Sequence, residues 1–259
     1  MNIQYLSEDL IGPVRLTSII YFEEIPSTNK YSKLINDGDD ILVITDHQTT
    51  GSGRLGRQWQ STSGNDIAIT LIKKIEISIE EIHLINFYTS YIVYITLKEL
   101  FNSSEYNFSL KWPNDILIQN KKVCGILSEI QHINDKKKKF IIGIGVNCNT
   151  TEFEKELISK ATSLKIATGK QINREEIISR LIKNFYKNFE MLNDPAQLIS
   201  IWKEGSDLMN KEINFKILDN DNEFSAVIIN IDNDGGLRLR LNDGSVKVFY
   251  SGDITFTKY

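Results

Sequence analysis

The chain has 259 residues, of which 41% are hydrophobic and 25% charged, enough length and apolar content for one large domain with a full core plus a small one. Its formal net charge of -4 gives no general electrostatic drive toward nucleic acid. Two distant cysteines, Cys124 and Cys148, and three scattered histidines, His47, His83 and His132, exclude a disulfide framework and a cysteine–histidine zinc site.

The first ten residues, MNIQYLSEDL, lack the basic stretch and apolar run of a secretory signal, so a cytoplasmic protein is expected. From Ile19, IIYFEE reads as a strand, a helix starts near Ser27 or Thr28, and the apolar run 41–46 reads as a second strand. A long polar loop with four glycines, 47–65, leads into the alternating strand IAITLI; loops of that length inside a compact domain usually serve function. Residues 82–97 are the most apolar long stretch but include His83, Asn86, Thr89, Ser90 and Thr96 and fall short of the roughly 20 residues of a membrane span. A buried helix over 79–100 is predicted instead.

Four strands follow at 108–112, 115–119, 123–131 and 140–147, and four close strands after a helix predict a mixed sheet. The lysine run 136–139 is read as a solvated hairpin tip, since adjacent like charges without aromatics are common at exposed turns. Helical spacing of Ile177, Ile178, Leu181, Ile182, Phe185 and Phe189 predicts a helix over 173–192 with one buried face, and a second helix runs through Trp202. At Lys211 the pattern changes to short strands, INFKILD, EFSAVIINID, GLRLRL and VKVFY, split by Asp, Asn and Gly. The expected organisation is a domain over 1–210 and a small β-barrel-like domain over 211–259, about 50 residues long.

Five segments carry candidate chemistry. In the loop QTTGSGRLGRQWQS, Gly51, Gly53 and Gly56 let backbone N–H groups approach an anion, and Arg54 and Arg57 add charge and fixed donors. The spacing is neither GxxxxGK[ST] nor GxGxxG, and a glycine-rich surface loop with two arginines is unremarkable alone. In KWPND, Pro113 forces a bend at a strand end, and Asn114 and Asp115 suit the turn. Lys111 is less easily explained by turn structure, because strand alternation points it opposite to Trp112. In KVCGILSE, Lys122 opens an apolar strand as an edge lysine would, while Gly125 inside a strand marks close approach of a ligand or backbone. GIGVN ends a strand with Asn147, whose amide could read an adenine edge or simply terminate the strand.

In this order, and with Ser27-Thr28-Asn29 at the first helix and Ala161-Thr162-Ser163-Leu164 later, these segments resemble the biotin–protein ligase family. The family shows an STN helix start, a GRGRxGRxW-like loop, KWPND, K-x-x-G-I-L, G-x-G-x-N and ATSL. The resemblance covers nearly the whole chain and implies an α+β fold: a mixed sheet with flanking helices, like the class II synthetase catalytic domain, plus a small SH3-like C-terminal β-barrel. It implies ATP-dependent formation of biotinyl-5'-AMP and transfer of biotin to a lysine of a biotin carboxyl carrier domain, with ATP and Mg2+ required and biotin as substrate.

By that resemblance Ser27, Thr28, Asn29 and Gln48 line the biotin pocket, together with Gly51, Ser52, Gly53, Arg54, Lys122 and Gly125. ATP and the adenylate fall to Arg54, Arg57, Trp59, Lys111, Asn114 and Asn147, the catalytic residues are Lys122, Arg54 and Lys111, and Asp115 is the candidate magnesium ligand. Ser52 departs from the pattern, because the family loop often carries Arg there. With STN only 27 residues in, no N-terminal helix-turn-helix and no DNA binding are expected, and no membrane association; a homodimer is compatible with the sequence. Two other readings remain open: a lipoate–protein ligase of the same superfamily, and a non-catalytic biotin-responsive regulator.

Overall fold

The computed structural model describes residues 1–78, 82–102, 105–132, 137–217 and 223–256. In chain order the elements are α1 (Ile3–Leu10), β1 (Ser18–Ile25), α2 (Thr28–Leu34), β2 (Ile41–Gln48), β3 (Ile67–Glu76), α3 (Leu84–Leu100), β4 (Phe108–Lys111), β5 (Asp115–Ile118), β6 (Lys121–His132) and β7 (Lys137–Val146). Helices α4 (Leu164–Thr168), α5 (Arg174–Lys187) and α6 (Pro195–Glu204) follow, then strands β8 (Glu212–Lys216), β9 (Glu223–Ile231), β10 (Leu237–Leu241), β11 (Val246–Phe249) and β12 (Asp253–Phe256). A seven-stranded sheet has the order β1-β2-β3-β7-β6-β5-β4, and β8 to β12 form a second, antiparallel sheet in the order β11-β10-β9-β8-β12. Only the β1–β2 pair of the large sheet is parallel, which makes it the mixed sheet expected. Among the described residues no helix is long and apolar enough to cross a membrane.

One face of the large sheet packs on α1, α3, α5 and α6 through Leu42, Ile44, Ile69, Leu71, Ile142 and Ile144, so alternate residues of the central strands enter the core. Helix α3 is buried on almost every side, and two of its hydroxyls meet neighbouring helices. Trp202 Nε1 donates to Ser90 Oγ at 2.8 Å, and Asn184 Nδ2 donates to Thr96 Oγ1 at 3.1 Å. Residues 79–81 of that predicted helix lie outside the described residues. The core continues into the small sheet through Ile213, Phe215, Ile228, Leu237 and Leu239. The other face of the large sheet is covered mainly by α2 and by the loop that follows β2.

The structure corrects three expectations. Helix α1 is absent from the sequence reading, although Asn2 accepts from the Tyr5 N–H as its cap and Leu6 and Leu10 form its buried stripe. The small domain has a further strand, β12, beyond Gly252. The lysine run is no solvated tip: Lys137–Lys139 open β7, and Lys138 and Lys139 are 1% and 3% exposed, while Lys136 lies outside the described residues. Lys139 Nζ donates to Ser32 O at 3.2 Å, to Gln131 Oε1 at 2.9 Å and to Ile35 O. The carbonyls at the end of α2 attract this cation, a contact that the local sequence pattern does not reveal. Leu218 and Asp219 of the predicted strand INFKILD lie outside the described residues.

A second buried cation ties β3 to the turn before β2. Lys73 Nζ lies 2.8 Å from Asp40 Oδ1, which also accepts from the Tyr186 hydroxyl at 2.7 Å. Replacing Lys73 with methionine strands the Asp40 carboxylate and is expected to cost about 3 kcal/mol of stability, measurable as a lower urea midpoint at unchanged slope.

Candidate active site

Strand register lays out the site on the face of the large sheet away from the core. Thr45, Ala68, Gly145, Gly125, Asp115 and Lys111 stand opposite one another in a single row across six strands, from β2 to β4. The next row contains Val43, Thr70, Gly143 and Leu127. Two adjacent glycines flatten the middle of the first row, and Trp59 fills the space: a methyl on Gly145 would lie 2.5 Å from Trp59 Cε2, and one on Gly125 would lie 3.0 Å from Cζ3. Gly125 therefore does mark a close approach, by the indole of Trp59 and the side chain of Lys122.

Lys122 reaches this face because β6 is irregular beside it. Leu117 pairs with Lys122 but Ile116 pairs with Cys124, so Val123 is an extra residue and alternation restarts after it. Val123 and Cys124 both enter the core, while Lys122 turns onto the glycine side. There its Nζ lies 2.6 Å from Asp115 Oδ1 and 5.7 Å from the centre of a Trp59 ring. The residue is pinned on both sides of its backbone: its N–H donates to Lys160 O at 2.8 Å, and its carbonyl accepts from the Thr162 N–H at 2.9 Å.

Lys111 shares the row with Asp115, and its Nζ lies 5.8 Å from the Phe256 ring. Burial pulls its ammonium below the ordinary lysine range, a trend that Lys122 reinforces and Asp115 opposes. Between β4 and β5 the Trp112–Pro113 peptide is cis, and Trp112 is buried with Nε1 donating to Gly235 O at 3.1 Å. Asn114 donates from Nδ2 to Ile126 O and accepts at Oδ1 from Arg54 Nη1 at 3.1 Å. Arg54 sits in a 3-10 turn, Arg54–Gly56, with Asp253 and Asp115 supporting its charge against burial.

Arg57, at the end of that turn, pairs with Asp253 of β12, so the small sheet closes one wall of the site. Asp253→Asn is expected to leave global stability within about 0.5 kcal/mol, as for a solvent-exposed ion pair. Faster amide hydrogen exchange confined to residues 53–57 is the expected signature of the released loop, read by mass spectrometry.

At the other end, Ser27 caps α2, placing Thr28 and Asn29 over the second row. Thr28 N donates to Gln48 Oε1 at 2.9 Å, and Thr70 Oγ1 lies 2.7 Å from both Thr28 Oγ1 and Asn29 Oδ1. A methyl on Gly143 would lie 2.3 Å from Asn29 Oδ1. Asn147 Nδ2 is held by Thr162 O at 3.0 Å, which leaves Oδ1 as an acceptor. Ser52 turns its hydroxyl to its own loop, 3.5 Å from Thr50 O.

Most of these side chains border one cavity of about 1180 Å³, larger than the usual pocket for a single small ligand, while Thr70, fully buried, stands behind Thr28 and Asn29. Every candidate ligand-binding or catalytic residue read from the sequence lines it except Gly51, whose missing side chain makes room for Trp59 O and Gln48 Nε2. Sequence reasoning missed Thr70, Asp253 and Phe256, and gave Asp115 no lysine partner. Register would have found Thr70, but no local signal points to β12.

The Biotin/lipoate A/B protein ligase family model matches residues 17–147, and the biotin protein ligase C-terminal domain model matches residues 209–256. The bifunctional ligase/repressor BirA of Bacillus subtilis is 32% identical over 91% of this chain and 73% of that protein. The biotin–[acetyl-CoA-carboxylase] ligase of Mycobacterium tuberculosis is 26% identical over 84% of this chain and 79% of its own length. Among solved structures, the biotin protein ligase of Aquifex aeolicus in complex with biotin and ATP superposes with a TM-score of 0.77 at 26% identity, covering 94% of this chain and 100% of that one.

Proposed function

Because the chain belongs to the biotin/lipoate A/B protein ligase family, we propose that it is a biotin–protein ligase. It joins biotin to ATP as biotinyl-5'-AMP and transfers the biotinyl group to a lysine of a carboxylase's carrier domain. The observation that carries biotin over lipoate is the polar end of the cavity. Thr28, Asn29 and Gln48 line it and form a connected set of hydroxyls and amides with Thr70 buried behind them. A cyclic urea pairs with such a set, whereas a dithiolane leaves it unpaired at about 1–3 kcal/mol per buried group.

Biotin in that end directs its carboxylate past the Trp59 indole, which covers the glycine row, toward Lys122. In the first step a carboxylate oxygen attacks the α-phosphorus, the bond to the β-phosphate oxygen breaks, and pyrophosphate leaves. Lys122 stands between the two anions, and Lys111, Arg54 and Arg57 supply further positive charge around the phosphates. Asn147 offers Oδ1 to the adenine amine, and Trp59 covers the adenylate against water. Magnesium would ride on the triphosphate and neutralise its charge, with Asp115 as the protein ligand; a cation needing one or two carboxylates plus phosphate oxygens fits that supply. In the second step the acceptor lysine nitrogen attacks the acyl carbon, the acyl–oxygen bond breaks, and AMP and a proton depart.

We place the boundary between the catalytic domain and the SH3-like domain at residues 210 and 211, with Asp253 and Phe256 of the latter serving the catalytic cavity. The test is transfer of labelled biotin to a carrier domain with ATP and Mg2+, beside calorimetric titration with biotin and with lipoate. Labelled carrier and selective biotin binding are expected; lipoate binding without biotin binding would overturn the reading.

A further inference from the structure

Behind the polar end of the cavity stands a carboxylate that does not line it. Glu129 follows Leu127 on the same face of β6, and its Oε2 accepts from Asn29 Nδ2 at 3.0 Å while its Oε1 meets Lys33 Nζ at 2.6 Å. The same Asn29 nitrogen also donates to Leu127 O at 3.1 Å. Both amide hydrogens are thereby consumed, and neither acceptor tolerates the amide oxygen in their place.

The direction of every following hydrogen bond is then determined. Asn29 Oδ1 can only accept, so the Thr70 hydroxyl at 2.7 Å donates to it. With its single proton used, Thr70 accepts from Thr28 Oγ1, also at 2.7 Å. Gln48 Oε1 accepts the Thr28 N–H at 2.9 Å, which leaves Gln48 Nε2 as a free donor beside Gly51. Towards the cavity, which Thr28, Asn29 and Gln48 line with Thr70 buried behind them, the set thus offers Thr28 Oγ1 and Asn29 Oδ1 as acceptors and one amide as donor. A urea, with two N–H groups and one oxygen, is the complement of that arrangement.

Resting on the biotin reading above, we propose that Glu129 is a positioning residue for specificity: by orienting the Asn29 amide it fixes the donor–acceptor polarity of the pocket that receives the urea. Lys33, at the other oxygen, only anchors the carboxylate.

The experiment measures affinity for biotin and for 2-iminobiotin, which carries an N–H donor where the urea has its oxygen, together with KM for ATP. Wild type, Glu129→Ala, Glu129→Gln and Lys33→Met are compared. In Glu129→Ala the biotin affinity is expected to fall about tenfold, the magnitude of one charge-assisted hydrogen bond, with KM for ATP unchanged. Discrimination against 2-iminobiotin should shrink by at least about threefold, because the weakened polarity penalises the wrong donor less. Glu129→Gln keeps an acceptor oxygen and should stay within about threefold of wild type, and Lys33→Met within about twofold. Unchanged biotin affinity and discrimination in Glu129→Ala overturn the inference. So does equal weakening of both ligands, or a Lys33→Met variant as impaired as Glu129→Ala, since either marks a merely structural anchor. A wild-type protein that binds no biotin overturns the biotin reading, and this inference with it.

Discussion

Replacing Lys122 with methionine is expected to lower the rate of adenylate formation about a thousandfold while leaving biotin affinity within a few fold. The two reacting groups are both anions. At about 3.5 Å and an effective dielectric of 20, their repulsion is about 5 kcal/mol, and a lysine at a similar distance from each offsets a comparable amount. A thousandfold corresponds to about 4 kcal/mol, so most of that compensation is assigned to this one side chain. Methionine keeps the apolar stem that packs over Gly125 and removes only the charge. It also removes the lysine partner of Asp115, now 2.6 Å from Lys122 Nζ. Pyrophosphate release in a single turnover, with biotin titrated separately, checks the result. A fall in biotin affinity that accounts for the whole rate loss would place Lys122 in ground-state binding instead.

Much of this site is legible in the sequence. Glycine at 125 announces close approach because no other residue leaves a strand face flat, and the indole of Trp59 meets it there. The α+β arrangement follows from strand runs clustered around one apolar helix. What stays hidden depends on register and on long-range pairing. Sequence shows Lys122 at a strand start, but only the extra residue Val123 in the β5–β6 pairing turns it onto the cavity face. Simple alternation would send it into the core. Lys138 and Lys139 look like a solvated tip because a cation's acceptors can lie anywhere; those of Lys139 include the end of α2, 104 and 107 residues away in sequence. The same is true of Asp253, which meets Arg57 across a separation of 196 residues. The apolar pattern of DITF is too short to announce a strand, let alone a wall of the cavity.

Gly143→Ala isolates the polar end of the site in the same way that Lys122→Met isolates the charged end. An added methyl would lie 2.3 Å from Asn29 Oδ1 and 2.9 Å from its Cγ. Asn29 has little freedom to yield, since its amide nitrogen is tied to Leu127 O and Glu129 and its oxygen meets Thr70. Two ways of relieving the clash exist. If the Asn29 side chain swings away, several buried hydrogen bonds break and the urea loses its partners, at about 1–3 kcal/mol for each polar group left unsatisfied. If α2 lifts off the sheet instead, the contacts of Lys139 with the end of that helix go too. Either route predicts about a hundredfold weaker biotin binding, or about 3 kcal/mol, with KM for ATP little changed because Lys111, Lys122 and Arg54 lie nearer the other end of the row. The two routes separate in the thermal midpoint. Local swinging of Asn29 leaves it within a few degrees of wild type, whereas lifting of α2 lowers it further and speeds amide exchange over residues 28–34. Biotin binding at wild-type strength in Gly143→Ala would show that Asn29 does not need its present position, and the assignment of the polar end to the urea would fall.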